Sequence, residues 1–494
     1  MKKSVKNLLI VIIVLVATVV LALGSTGIAI AATHNNPKKA VIILPGLFAS
    51  GLYDTETGES VWDPFEGMDV WLTDFMGRNG FPIGLILQLI NNETFNEELN
   101  KLLANNRRGE ADSLFNMVAM NEDGTSVVKT IKPVPFESES RLRYGVANAQ
   151  TDIYHTLEEA YGDAYEVQVF NYDFRLDNRY NAEQLEAYVN EKGYKEVILV
   201  SHSNGGAVAA CYLGRSQENR DKVKLYLSFD APYYGSFAAI NILENVDRMV
   251  SGLSDTLRSI PLLSNLATAV NDVFEYQFKR LLSIWPVYQL LPSYQLLQTQ
   301  QYYHVFEEQI MGFEGKPGPM TTKEVREAMI NIDGEDVIFE TAEELWEFYC
   351  SRPWAKMSNG ELRPQMEQWL DFHDAQMVTL EDGTKVHSTS LVNTHYINGM
   401  GYKNCYKIYY VTDNSLESGL RHLEKYEYTD QGDGTVLLYS ATAGTADASR
   451  IHILPYADHY DVFQRFNTYS KDLTLGIIDK ELSSWDKLLI NLYK

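Results

Sequence analysis

The segment Val197-Ile198-Leu199-Val200-Ser201-His202-Ser203-Asn204-Gly205-Gly206 restricts this chain more than any other. An apolar, largely β-branched run ends in small-x-Ser-x-Gly-Gly and passes at once into Ala207–Leu213, whose composition suits a helix. A strand that turns tightly into a helix lifts a serine hydroxyl to the top of a sheet, and the close approach of strand and helix demands small neighbours. The helix N-terminus behind Ser203 favours negative charge developing beside it. Serine at 201 stands where G-x-S-x-G has its first glycine. It is small enough for the turn, although the bare pattern is weaker for it. Taken alone, the segment is either a nucleophile elbow or an ordinary strand–helix junction.

The surrounding chain supplies a rhythm. Ala40-Val41-Ile42-Ile43-Leu44-Pro45-Gly46 reads as a buried strand closed by a tight loop. A helix-like segment, Ala149 to Tyr161, leads to a strand over Tyr165 to Phe170; a second, Ala182 to Lys192, leads to the serine strand. The helix after Ser203 leads to a strand over Val223 to Phe229. Strands alternating with helices predict an α/β fold with a mostly parallel sheet and right-handed crossovers. From about Phe237 to Leu391 the pattern is mostly helical and irregular, as expected of a cap insertion. Strand-like segments return at Thr394–Met400, Cys405–Val411 and Ile451–Pro455, and a terminal helix follows. The resulting division is 33–236 for the first part of the core, 237–391 for the cap and 392–494 for the second part of the core. A lid candidate lies within 55–110, where the apolar stretch Phe81 to Ile90 would either meet lipid or pack as a satellite helix.

A serine nucleophile needs a base and an orienting acid, which follow it in chain order in this fold class. Asp433, between Gly432 and Gly434, can protrude from a tight loop, and His459 lies just after the last strand. The order Ser203, Asp433, His459 fits. Asp458 is a rival acid whose adjacency to His459 gives poor geometry, and Asp230, just after a strand, is a better-placed rival. Two donors would bind a tetrahedral oxyanion: the backbone N–H of Asn204, and one from the loop after the first strand, expected at Leu47.

The first 32 residues read as a leader. Lys2, Lys3 and Lys6 precede an apolar run, no charge falls between Leu8 and Thr33, and Ala29-Ile30-Ala31-Ala32 offers a small-residue cleavage site. That order is the one of a signal peptide; uncleaved, the stretch is long enough to anchor in a bilayer. Either way the body is expected outside the cytoplasm, secreted or at the cell envelope. A net charge of −24 repels phosphate backbones and argues against nucleic acid as a partner. The three cysteines, Cys211, Cys350 and Cys405, have no metal-site spacing; Cys211 reads as buried filler, and whether Cys350 and Cys405 pair is open. No metal or organic cofactor is called for.

Five ordered segments together resemble the lecithin:cholesterol acyltransferase and lysosomal phospholipase A2 family. They are Ile43-Leu44-Pro45-Gly46-Leu47, Asn171-Tyr172-Asp173-Phe174-Arg175-Leu176, Ser201-His202-Ser203-Asn204-Gly205, Asp230-Ala231-Pro232-Tyr233-Tyr234-Gly235-Ser236 and Gly432-Asp433-Gly434-Thr435-Val436. A further family-like segment, Trp285 to Ser293, lies between the last two. The resemblance spans roughly Ala40 to Phe463, with 51–143 and 300–390 thinly covered. It implies an α/β-hydrolase fold and a serine esterase acting on lipid acyl esters, with Ser203, Asp433 and His459 as its catalytic groups. It also places Asp173 and Arg175 beside the elbow, where an Asp and Arg two apart would pair as structural support. Phe174 stands where the family usually has tryptophan, and no cysteines are present to bridge a lid near Trp62. A lid contact with a membrane surface is therefore an expectation resting on the apolar stretch alone. Hydrolysis by water is the expected outcome; transfer of the acyl group to a lipid alcohol, or a catalytically silent hydrolase fold used for binding, are the alternatives.

Overall fold

The computed structural model describes residues 38–58, 60–62, 118–134, 148–244, 280, 283–297, 303–306, 335–337, 339–412, 420–459, 462 and 468–493. The leader over 1–32 and all of the lid candidate beyond residue 62 lie outside them. Among the described residues, no helix is long and apolar enough to cross a membrane.

Six strands form one sheet: β1 (Lys39–Leu44), β2 (Glu166–Val169), β3 (Glu196–His202), β4 (Val223–Phe229), β5 (Thr394–Met400) and β6 (Ile451–Pro455). Their spatial order is β6-β5-β4-β3-β1-β2, and every neighbouring pair is parallel. The apolar runs read from the sequence are these strands. A parallel strand with both faces covered has no reason to alternate apolar with polar residues. In β1 the alternation is instead between two cores. Ala40, Ile42 and Leu44 pack into one, while Val41 and Ile43 pack into the other, and all five are fully buried.

Helices cover both faces. On one side lie α2 (Asn178–Lys192) and α3 (Asn204–Arg215), with residues Leu185, Val189 and Ala207 to Leu213 in the first core. On the other, α1 (Asn148–Tyr161), α4 (Thr468–Glu481) and α5 (Ser484–Tyr493) contribute Ile153, Leu157, Ile477 and Ile490 to the second. Helix α2 shows local logic at each end. Asp177 caps it by accepting from Arg179 N, and Gly193 closes it at φ +73 while donating to Asn190 O. The expected terminal helix is two helices broken near Leu482-Ser483, where Ser483 and Asp486 cap one another.

The expected boundary at 391/392 needs correction. The hairpin Asn404–Thr412 and Leu420–Thr429 does not join the core sheet; it pairs with Tyr303–Phe306, which pairs in turn with Glu335–Val337. Residues on both sides of the boundary thus share one four-stranded satellite sheet. Ladder hydrogen bonds between distant segments draw it together, and periodicity within either segment cannot report them. The core resumes at β5, departs over 404–429, and resumes again at β6.

The chain reverses its direction of travel across the sheet between β1 and β3. The C-terminal ends of parallel strands at such a switch point open a crevice where ligands bind. The loops after β1 and β3 are Pro45–Phe48 and the turn at Ser203.

Candidate active site

Backbone strain marks that end of the sheet. Five described non-glycine residues have positive φ, and four of them follow core strands: Phe48 after β1, Ser203 after β3, Asp230 after β4 and Tyr456 after β6. Such conformations persist only where surrounding structure over-determines them, and they cluster at functional sites. Ser203 has φ +51 and ψ −126. Its N–H donates to Phe229 O and its carbonyl accepts from Gly206 N, which ties the turn to β4 on one side and α3 on the other. A methyl group on Gly205 would lie 2.5 Å from Leu44 O, and one on Gly206 would lie 2.2 Å from the Ala231 methyl carbon. The two glycines are therefore a packing requirement.

Ser201 finds a purpose that its small size did not reveal. Its buried hydroxyl bonds the Tyr226 hydroxyl at 2.7 Å, which bonds Tyr233 at 2.8 Å, which bonds Ser228 at 2.7 Å. The departure from glycine anchors a hydroxyl chain beneath the elbow. Tyr226→Phe leaves two buried hydroxyls short of a partner and is expected to cost about 1–3 kcal/mol. Urea denaturation checks it, and adding Ser201→Gly should return part of the loss.

Ser203 Oγ lies 2.9 Å from His459 Nε2, and His459 Nδ1 lies 2.6 Å from Asp433 Oδ2. Asp433 is buried. Burial alone would raise its pKa, but His459 and the N–H groups of Thr435 and Val436, both donating to Oδ1, hold it below the usual carboxylate range. An ionised carboxylate only accepts, so His459 carries its proton on Nδ1 and turns the lone pair of Nε2 to Ser203. Asp433 projects from a loop in which Gly434 takes φ +97 and donates to Asn404 Oδ1. The loop bearing His459 is stitched to it by His459 N donating to Asp433 O.

His202 was not singled out in the sequence, yet it holds the backbone of His459. Its Nε2 donates to His459 O at 2.8 Å, and burial pushes its pKa down to about 3, so it stays neutral. The β1 loop closes the other side. A methyl group on Gly46 would sit 2.9 Å from His202 Nδ1 and 3.2 Å from Ser203 Cβ, so the residue before Leu47 lies against the serine turn. Next to Leu47, strained Phe48 accepts from Trp62 Nε1 at 2.9 Å, and Phe48, Trp62 and Phe174 pack as a triangle of rings. Phenylalanine at 174 thus fills an aromatic cluster behind the loop. The side chain of Asn204 is turned away into the protein, donating to Tyr172 Oη and pairing with the amide of Asn178.

Asp173 and Arg175 meet in a buried two-pronged ion pair, with Arg175 Nε and Nη2 donating at 2.8 and 2.7 Å. Asp230, the rival acid, ends beside Asp433. Among the described residues, Asp230, Asp433 and His459 are the one group whose potential metal-ligand atoms lie close, within 4.8 Å of one another. The ring nitrogens of His459 are both engaged, by Asp433 and Ser203, so the group reads as acid–base machinery. Cys350 and Cys405 are free thiols, and Cys211 is free and buried.

A serine on a strained turn, a histidine with its lone pair aimed at the hydroxyl and a carboxylate behind it can remove a proton, form an ester with the serine and return the proton to a leaving group. A family model described as lecithin:cholesterol acyltransferase matches residues 136–453, a span that includes Ser203 and Asp433 and ends before His459. No curated protein matches the chain. A solved structure, "The crystal structure of Tle4-Tli4 complex", contains a chain similar to this one at 13% identity, over 90% of this chain and 98% of that one, with a TM-score of 0.40.

Proposed function

Because the chain belongs to the lecithin:cholesterol acyltransferase family, whose chemistry is the hydrolysis or transfer of lipid acyl esters, we propose that it is a serine esterase of the phospholipase type working through an acyl-enzyme at Ser203. The observation that carries this reading is the hydrogen-bonded series Ser203 Oγ, His459 Nε2, His459 Nδ1, Asp433 Oδ2. His459 takes the Ser203 proton as Oγ attacks the ester carbonyl, and Asp433 stabilises the imidazolium that forms. The N–H groups of Leu47 and Asn204 receive the oxyanion, and each such donor is worth about 3 kcal/mol in the transition state. His459 then protonates the leaving alcohol. Water, activated by the same histidine, releases the fatty acid.

The basic, apolar and small-residue order of residues 1–32 supports export, with the substrate met outside the cytoplasm. Transfer to a lipid alcohol is the second reading, and the family supports it as directly as hydrolysis. Phospholipid vesicles with and without a long-chain alcohol separate the two. Free fatty acid as the main product in both arms supports the esterase; a new ester that grows at the expense of fatty acid when alcohol is added establishes the transferase. No acyl product in either arm, with soluble short esters still cleaved, would sink the lipid substrate class.

A further inference from the structure

Two carboxyl groups approach His459 from two separate parts of the chain. Asp433 comes from the loop before β6 and already holds the ring. Asp230 is the first residue after β4, at φ +45, and is 1% exposed. Its N–H donates to Ile397 O, and its Oδ1 accepts from Gly399 N at 2.9 Å, so the side chain is fixed by β5. Its Oδ2 is buried and accepts no hydrogen bond, which leaves it free to carry a proton toward the neighbouring Asp433. An oxygen of each aspartate and a nitrogen of His459 lie within 4.8 Å of one another.

Two buried carboxyls that close cannot both be charged. The division is set by the donors. Asp433 has two backbone N–H groups and the His459 N–H, while Asp230 has one backbone N–H. The negative charge therefore belongs to Asp433 and the proton to Asp230. Burial first, and then the Asp433 charge, push the Asp230 carboxyl well above its ordinary range. The other titratable groups facing it are Asp458, which adds to the upward push, and His459, with neutral His202 behind.

We propose that Asp230 is a second orienting acid of this site, kept uncharged while Asp433 is present and able to take hold of His459 when Asp433 is neutralised. The proposal rests on the Ser203–His459–Asp433 reading above. In the native protein the protonated carboxyl directs its O–H at Asp433 and keeps a second negative charge away from His459. A second charge there would set two buried carboxylates against each other at the ring. Asp230 acts through its neighbours and is a positioning residue.

The test is a comparison of Asp433→Asn with Asp433→Asn/Asp230→Asn, read as the pH dependence of short-chain ester turnover. Asp433→Asn removes the like charge, so Asp230 releases its proton to solvent as pH rises and can accept from His459 Nδ1. The single variant should regain activity with increasing pH, by at least about tenfold, from a floor set by the wrong histidine tautomer. The double variant should stay at that floor with a flat profile. Equal rates and profiles for the two would overturn the proposal. Ser203→Ala, run alongside, separates the cases: activity surviving in it defeats the catalytic reading itself, whereas activity lost in it with identical aspartate variants defeats only the role of Asp230.

A second measurement needs no impaired enzyme. The wild-type protein at neutral pH should show the infrared carbonyl band of a protonated carboxylic acid, and Asp230→Asn should lack it. An unchanged spectrum would overturn the proposal. The linkage has a matching sign. A carboxyl whose folded pKa lies above its unfolded value makes stability fall as pH rises from about 4 toward the folded pKa. Melting temperature should therefore drop less between pH 5 and 8 in Asp230→Asn than in wild type.

Discussion

Ser203→Ala is expected to lower ester turnover by about a millionfold, the cost of removing the nucleophile from a serine–histidine–acid unit. The removed oxygen bonds the part-buried His459 Nε2, so the fold should lose no more than that one hydrogen bond. Melting temperature should stay within a degree or two of wild type. A fluorophosphonate reagent should label the wild type at Ser203 and leave the variant unlabelled. Labelling that survives in the variant would mean that another residue is the nucleophile, and labelling of neither protein would favour a catalytically silent fold. His459→Ala should be nearly as severe, because the same transition state loses its base. The double variant should cost little beyond either single change, since groups that act as a unit are far from additive.

Asp173→Ala is expected to be the most damaging change for stability, by about 3–5 kcal/mol, because it takes away the carboxylate to which a buried guanidinium donates twice. Arg175 is fully buried and Asp173 nearly so. The pair also ties two distant segments to the start of α2. Arg175 Nη1 donates to Ser126 Oγ, Trp285 N donates to Arg175 O, and Asn181 Nδ2 donates to Asp173 O. Denaturant unfolding should show the midpoint collapse in Asp173→Ala and recover substantially when Arg175→Met is added, because an apolar side chain of similar length carries no desolvation penalty. If the residues instead contacted substrate, both variants would keep wild-type stability and raise KM. That outcome would remove the structural role assigned here to the pair.

Parts of this architecture could be read directly from the chain. The parallel sheet was visible because β1, β3 and β4 are short, almost purely apolar runs, and burial on both faces leaves no other pattern for such strands. The elbow was visible because its sterics are local: strand, serine and two glycines meet within ten residues. Other parts were hidden. The satellite sheet joins Tyr303–Phe306 to Asn404–Thr412 through ladder hydrogen bonds, and neither segment alone signals its partner. Ser201 looked like a blemish in the serine motif. Its answer is the phenol of Tyr226, which reaches it only because β3 and β4 lie side by side.

The division follows the range of the forces. Contacts between near neighbours in the chain decide that a strand ends at Ser203 in a turn only small residues allow, and sequence order narrows the acid and base to a few candidates. Choosing among those candidates depends on approach through space. His459 meets Ser203 across 256 residues and Asp433 across 26. The same folding brings Asp230, the rival acid, to the same histidine. Adjacency alone does not separate the two carboxylates; the backbone N–H groups of Thr435 and Val436 favour charge on Asp433, while the burial of Asp230 opposes it there. Which acid is charged is thus a property of hydrogen bonds and desolvation in the assembled core, and no pattern along the chain contains it.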